Sequence, residues 1–239
     1  MIKFVCLVFV YCMVTTQPIY GQNVDEIVEQ IYQQTLVHEE HLDSLENYSY
    51  MQRIHFIKMD GDGEIEEQSK REYLVKVFSR DQRERELISA FDYEDLNWID
   101  VTTKEKNKEP KERESARFSL TEMVSPKARG EYTFSLSGDK EINGLKTIHL
   151  TVEPIEEDEE KFSGDLWFER ESYNLVQARL KPSDNPTGVE SMVMNFSMEK
   201  YNDVWLPQKI TFEAEVSFLI IFKGKIFSEI RFEDYQFEN

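Results

Sequence analysis

His38, Glu39, Glu40 and His41 are the first residues along the chain whose types could do chemistry. A zinc-hydrolase helix carries two histidines four positions apart with a glutamate beside the first. In this chain they are three apart. A looser ligand set with Asp43 is open on the same helix face, but two ordinary histidines at a helix border account for the stretch. We expect no metal there. Asp60, Asp62 and Glu64 open like a calcium loop, yet Ile65 stands where the obligatory glycine belongs and Arg71 where the closing glutamate belongs. A hairpin tip explains them.

Nucleophilic and acid–base chemistry fare no better. Serine, histidine and aspartate occur without a Gly-x-Ser-x-Gly elbow. With Asp and Glu totalling 47, paired carboxylates carry no information about catalysis. The residues that stand out are apolar instead. Met192, Met194, Phe196 and Met198 alternate along one strand and so face one way. Methionine is flexible and polarizable and suits a surface that accepts varied apolar ligands. The competing reading is an ordinary core strand. Ile31 and Leu42, on the apolar stripe of a helix, are the candidates facing them. These six form the expected ligand-binding set; no catalytic residue and no cofactor is expected, and the chain is not read as an enzyme.

The elements that position them follow from periodicity. Val24, Ile27, Val28, Ile31, Leu42 and Leu45 recur at helical spacing, with Asp25 and Glu26 in the first turn, where they suit the helix dipole. This predicts an amphipathic helix over Val24–Leu45 that needs an apolar bed. The pattern then switches to period two. Tyr48, Tyr50, Ile54 and Phe56 alternate with polar residues up to the Asp60-Gly61-Asp62-Gly63 turn, and a second strand runs to about Phe78. Arg83–Phe91 is read as a third strand, and Leu120–Val124 as a short helix.

From residue 130 onward strands are expected at 132–136, 145–152, 162–169, 175–180, 189–198, 206–218 and 225–237, punctuated by glycine and proline. Within them, Gly164–Leu180 reads as a hairpin turning at Arg170–Asn174, with Trp167 as a wall or core residue. The fold class is mainly β (α+β). It is a strongly curved, unclosed antiparallel barrel of about ten strands, with the N-terminal helix packed on its concave side. Residues 103–117 have Ala116 as their one apolar residue and read as a charged loop or insertion. Phe218–Phe222 is either buried between sheet and helix or an exposed contact edge.

Residues 1–21 have the build of a cleaved signal peptide. Lys3 precedes an apolar run over Phe4–Val14, with the cut expected after Gly21. That run is short for a membrane span, although a retained anchor is the alternative. Cys6 and Cys12 both lie in this segment, so the single domain over 22–239 would have no disulfide and depend on its core. A cysteine-free exported chain suits the bacterial periplasm. The net charge of −19 repels nucleic acid and anionic headgroups, so a nucleic-acid role is excluded and any lipid contact falls to an apolar site.

The order of elements, with Glu141-Ile142-Asn143-Gly144-Leu145, Leu150-Thr151-Val152-Glu153-Pro154, Gly164-Asp165-Leu166-Trp167-Phe168, Val204-Trp205-Leu206-Pro207 and Phe232-Glu233-Asp234-Tyr235, resembles the LolA/LolB-like lipoprotein-carrier superfamily. The group described as outer membrane lipoprotein-sorting-like proteins is the nearest match. The resemblance implies a periplasmic, non-enzymatic protein that holds a lipid or lipoprotein acyl chain between curved sheet and helix, with a role in lipoprotein sorting or transport. The alternative is a protein-interaction or envelope-sensor module of the same fold, with an envelope protein as partner and no lipid cargo.

Overall fold

The computed structural model describes residues 23–79, 82–107, 120–218 and 222–238. The expected leader, with Cys6 and Cys12, lies outside the described residues. So do most of the charged 103–117 segment and the middle of Phe218–Phe222.

Helix α1 spans Val24–Ser44. Asn23 caps it by accepting the Asp25 amide on its side-chain oxygen at 3.2 Å. The helix ends where Leu45 turns extended and Asn47 takes a positive φ of 55°. Strands β1 (Tyr48–Asp60), β2 (Ile65–Ser79), β3 (Gln82–Glu94) and β4 (Asn97–Asp100) follow. Then come the short helices α2 (Thr102–Lys106) and α3 (Leu120–Val124) and a 3-10 turn at Ala128–Gly130. Strands β5 (Tyr132–Ile142), β6 (Leu145–Pro154), β7 (Phe162–Glu169) and β8 (Leu175–Pro182) start the second run. Strands β9 (Val189–Tyr201), β10 (Val204–Phe218) and β11 (Phe222–Phe237) complete it.

The fold is mainly β: eleven antiparallel strands in one curved, unclosed sheet, in the order β4-β3-β2-β1-β11-β10-β9-β8-β7-β6-β5. The last strand closes beside the first, so the N-terminal hairpins and the C-terminal meander become one surface. One strand more than expected is present. It is β4, a four-residue return too short for Trp98 and Ile99 to show a strand period. Gly138 and Pro207, read from the sequence as punctuation, sit inside β5 and β10 at register shifts, where a bulge tolerates a positive φ or a missing amide. The first part of the charged segment forms α2 rather than loop.

The core lies between α1 and the second run of strands. Ile27, Val28 and Ile31 are buried against Met123, Val124, Ile148, Leu150, Val152, Leu166, Phe168, Ala178 and Leu180. Apart from Ala178, each such side chain contributes about 1.5–3 kcal/mol by leaving water. Arg129 donates to Glu29 at 2.5 Å and ties this half of the helix to the 3-10 turn.

Candidate functional site

Helix α1 is sealed along only part of its length. Ile27, Val28, Ile31 and Thr35 are its buried residues, and none follows Thr35. Leu36 and Val37 are exposed at 38% and 57%, and Leu42 is half-buried. Beneath this C-terminal half lies a cleft of about 240 Å³ walled by Leu42, Tyr48, Tyr50 and Val77, with Glu39, Asp43 and Arg83 among its polar residues. Thr121 donates to Glu39 at 2.5 Å, fixing one carboxylate.

Further along β1 from Tyr50, the same face of the sheet carries three cross-strand rows. Residues directly opposite in an antiparallel ladder share a face. Phe196 stands opposite Ala178 and Ile210, Ile210 opposite Ile230, and Ile230 opposite Ile54. In the next row Met194 lies between Leu180 and Phe212, followed by Ser228 and Phe56. The third row joins Met192, Ala214, Ile226 and Lys58. Ala178 and Leu180 belong to the core under α1, so all three rows face the helix side. Beyond β8 most of their residues are only half-buried. Five strands spaced by about 4.8 Å make the first row roughly 19 Å long.

The six residues singled out from the sequence therefore divide. Met192, Met194 and Phe196 belong to this apolar surface, and Met198, opposite Pro207, continues their strand face. Phe196 alone among the four packs against the sealed core. Leu42 lines the cleft. Ile31, at 0% exposure, is part of the core beside Met123 and Phe168 and is not joined to the cleft.

Sequence reasoning missed the tyrosines at the top of this face. Tyr50 lies 5.2 Å from Tyr235 and 6.3 Å from Tyr48, and Tyr201 lies 4.6 Å from Tyr235, ring centroid to ring centroid. Tyr235 donates its hydroxyl to the Pro207 carbonyl at 2.7 Å. Burial pushes the phenols of Tyr48, Tyr50 and Tyr235 upward, and pushes Tyr201 to about 12, so all are neutral hydrogen-bonding groups near neutral pH. Their signal was the Tyr48/Tyr50 alternation together with Tyr235. It is readable only once the first and last strands are known to be neighbours.

The two motifs with ligand-like spacing are ordinary in place. Asp60 accepts the amides of Asp62 and Glu64 at 2.9 Å each, the geometry of a hairpin tip. His38 is pushed toward its neutral form, chiefly by burial and also by His41. Among the described residues no group of three His, Cys, Asp or Glu is placed to hold a metal ion. None of the described helices is long and apolar enough to cross a membrane.

No curated protein matches this sequence. Among solved structures, the chain is similar to a putative outer membrane lipoprotein-sorting protein domain from Vibrio parahaemolyticus. That match has 12% identity and a TM-score of 0.41, covering 91% of this chain and 94% of the other. It is similar to a DUF1329 family protein from Desulfovibrio piger at 13% identity and a TM-score of 0.39, over 88% and 93% of the two chains. It is also similar to a LolA superfamily protein from Nitrosomonas europaea at 10% identity and a TM-score of 0.33, over 92% and 95%. The sequence model of a family described as a family of unknown function, DUF5686, matches residues 22–232, and the chain belongs to that family.

Proposed function

We propose that the protein is a non-enzymatic, extracytoplasmic binder of acyl chains, which it takes along the open half of its concave face. The observation that carries this reading is the asymmetry of α1. Its N-terminal half is sealed on the core, while its C-terminal half overhangs the cleft walled by Leu42, Tyr48 and Tyr50, and the half-buried Met192, Met194 and Phe212 lie further along the same face of the sheet. The cleft, at about 240 Å³, lies just below the roughly 300 Å³ at which small-molecule pockets begin. It admits one end of a chain, and the rows across β8–β11 and β1 take the rest.

Burying about ten methylenes contributes about 8 kcal/mol gross at about 0.8 kcal/mol each, before the cost of ordering the ligand. Such binding is set by area, which accounts for the absence of a polar signature. Handing a lipidated protein onward within the envelope is one use of this site, and we assign that transport role as part of the same proposal.

Native mass spectrometry of the purified full chain, before and after incubation with phosphatidylethanolamine vesicles, tests it. The expected result is a saturable adduct of lipid mass, reduced at least tenfold in Met194→Arg. A bare protein under both conditions, or an adduct equally abundant in the variant, overturns the reading. A bare chain that instead captures an envelope protein through the same face would favour the interaction-module alternative.

A further inference from the structure

The face of the sheet opposite α1 carries its own depression, of about 420 Å³. Its lining alternates with core residues along each strand. Asp165 and Trp167 flank Leu166, Gln177 and Arg179 flank Ala178, and Asn195 precedes Phe196. The outer face of a curved sheet is convex, so a depression there needs a local cause. Here β5 is bent by a bulge at Gly138, whose φ is +108°, and Arg170 pairs with Asp139 just beyond it. The bent strand brings Lys140 up as a wall.

Trp167 is the residue without an explanation. It is 8% exposed, and its indole nitrogen is buried with no hydrogen-bond acceptor. An unpaired buried donor costs about 1–3 kcal/mol. Its surroundings are otherwise ordered. The ring stacks on His149 at 4.8 Å and 20°, His149 meets Asp165 at 2.7 Å, and Thr151 donates to Asp165 at 3.1 Å. The exposed Lys140 holds its ammonium 5.1 Å from the indole centroid.

We infer that this depression is a binding site for a neutral polyhydroxylated ligand of saccharide type. The charges in the lining cancel, with Lys140 and Arg179 against Asp165 and Glu213, so no net field selects an ion. Gln177, Arg179, Asn195 and Glu213 instead offer donors and acceptors on planar side chains. A sugar hydroxyl both donates and accepts, so it matches a mixed lining of this kind. When the flexible Lys140 chain moves aside, a ligand oxygen can accept the orphaned indole N–H. The volume falls within the range of small-ligand pockets. The lining is too polar for an acyl chain, which keeps this site separate from the concave face.

The test is a printed array of neutral and acidic oligosaccharides probed with the labelled full chain, followed by calorimetric titration of the strongest neutral binder. Arg179 is exposed and Gln177 half-buried, so Arg179→Ala and Gln177→Ala leave the core intact. The expected result is retention of neutral oligosaccharides, weakened at least tenfold in each variant, with lipid-adduct formation by the other face unchanged. The inference is overturned if no neutral oligosaccharide is retained, if only acidic ones bind, or if both variants bind like the parent chain.

Discussion

Phe196 of β9 stands directly across the ladder from Ala178 of β8, and this pair marks where the sealed half of the concave face meets the open half. Ala178 is fully buried in the core under α1, whereas Phe196 packs against that core from its edge. Phe196→Ala should therefore cost about 2 kcal/mol, below the range for a fully buried aromatic because Phe196 is only half-buried. Met192→Ala, two rungs further into the open half, should cost less than about 1 kcal/mol. Urea denaturation of both variants checks the difference.

The same contrast runs along the helix. Ile31 is fully buried, and Ile31→Ala should destabilise by about 2–5 kcal/mol through lost burial and the cavity left behind. Leu42 faces the cleft, and Leu42→Ala should change stability by less than about 1 kcal/mol while weakening lipid binding. If Leu42→Ala proves as destabilising as Ile31→Ala, the C-terminal half of α1 is core and not the cover of a binding site.

Gly164 faces a constraint of a different kind. Its φ is +146°, and a β-carbon built on it would fall onto the Arg179 carbonyl oxygen in the neighbouring strand. Backbone cannot give way as a flexible side chain can. Gly164→Ala should destabilise by at least about 2 kcal/mol. Thermal unfolding monitored by circular dichroism would show it as a lowered midpoint.

Glu29 and Arg129 predict a pH dependence. The Arg129 hydrogen bond, with a second from Gln33, holds the Glu29 carboxyl below its ordinary value of 4.5. A carboxylate that titrates lower in the folded state stabilises above its ordinary value, and the contribution disappears as pH falls through the folded value. Arg129→Leu should thus be less stable than the parent chain at about pH 6, with the gap closing toward about pH 3. A gap that stays constant across this range would assign the effect of Arg129 to packing.

Local pattern alone was enough for α1, for the hairpin at Asp60–Gly63 and for most strands of the meander, because helix and strand periods are written into consecutive residues. It was also enough to place Met192, Met194, Phe196 and Met198 on one side of one strand, since alternation requires it. Which side was a tertiary matter, decided by the pairing of Ala178 with Phe196 and of Leu180 with Met194. The assignment of Ile31 to the core and Leu42 to the cleft was equally invisible, because both lie on the same apolar stripe. They separate only where the helix leaves its contacts with α3 and the core strands. The union of β1 with β11 joins residues nearly a whole chain apart, and no local signal encodes it. That single pairing assembled Tyr48, Tyr50 and Tyr235 into one cluster and extended the apolar rows from β9 across to β1.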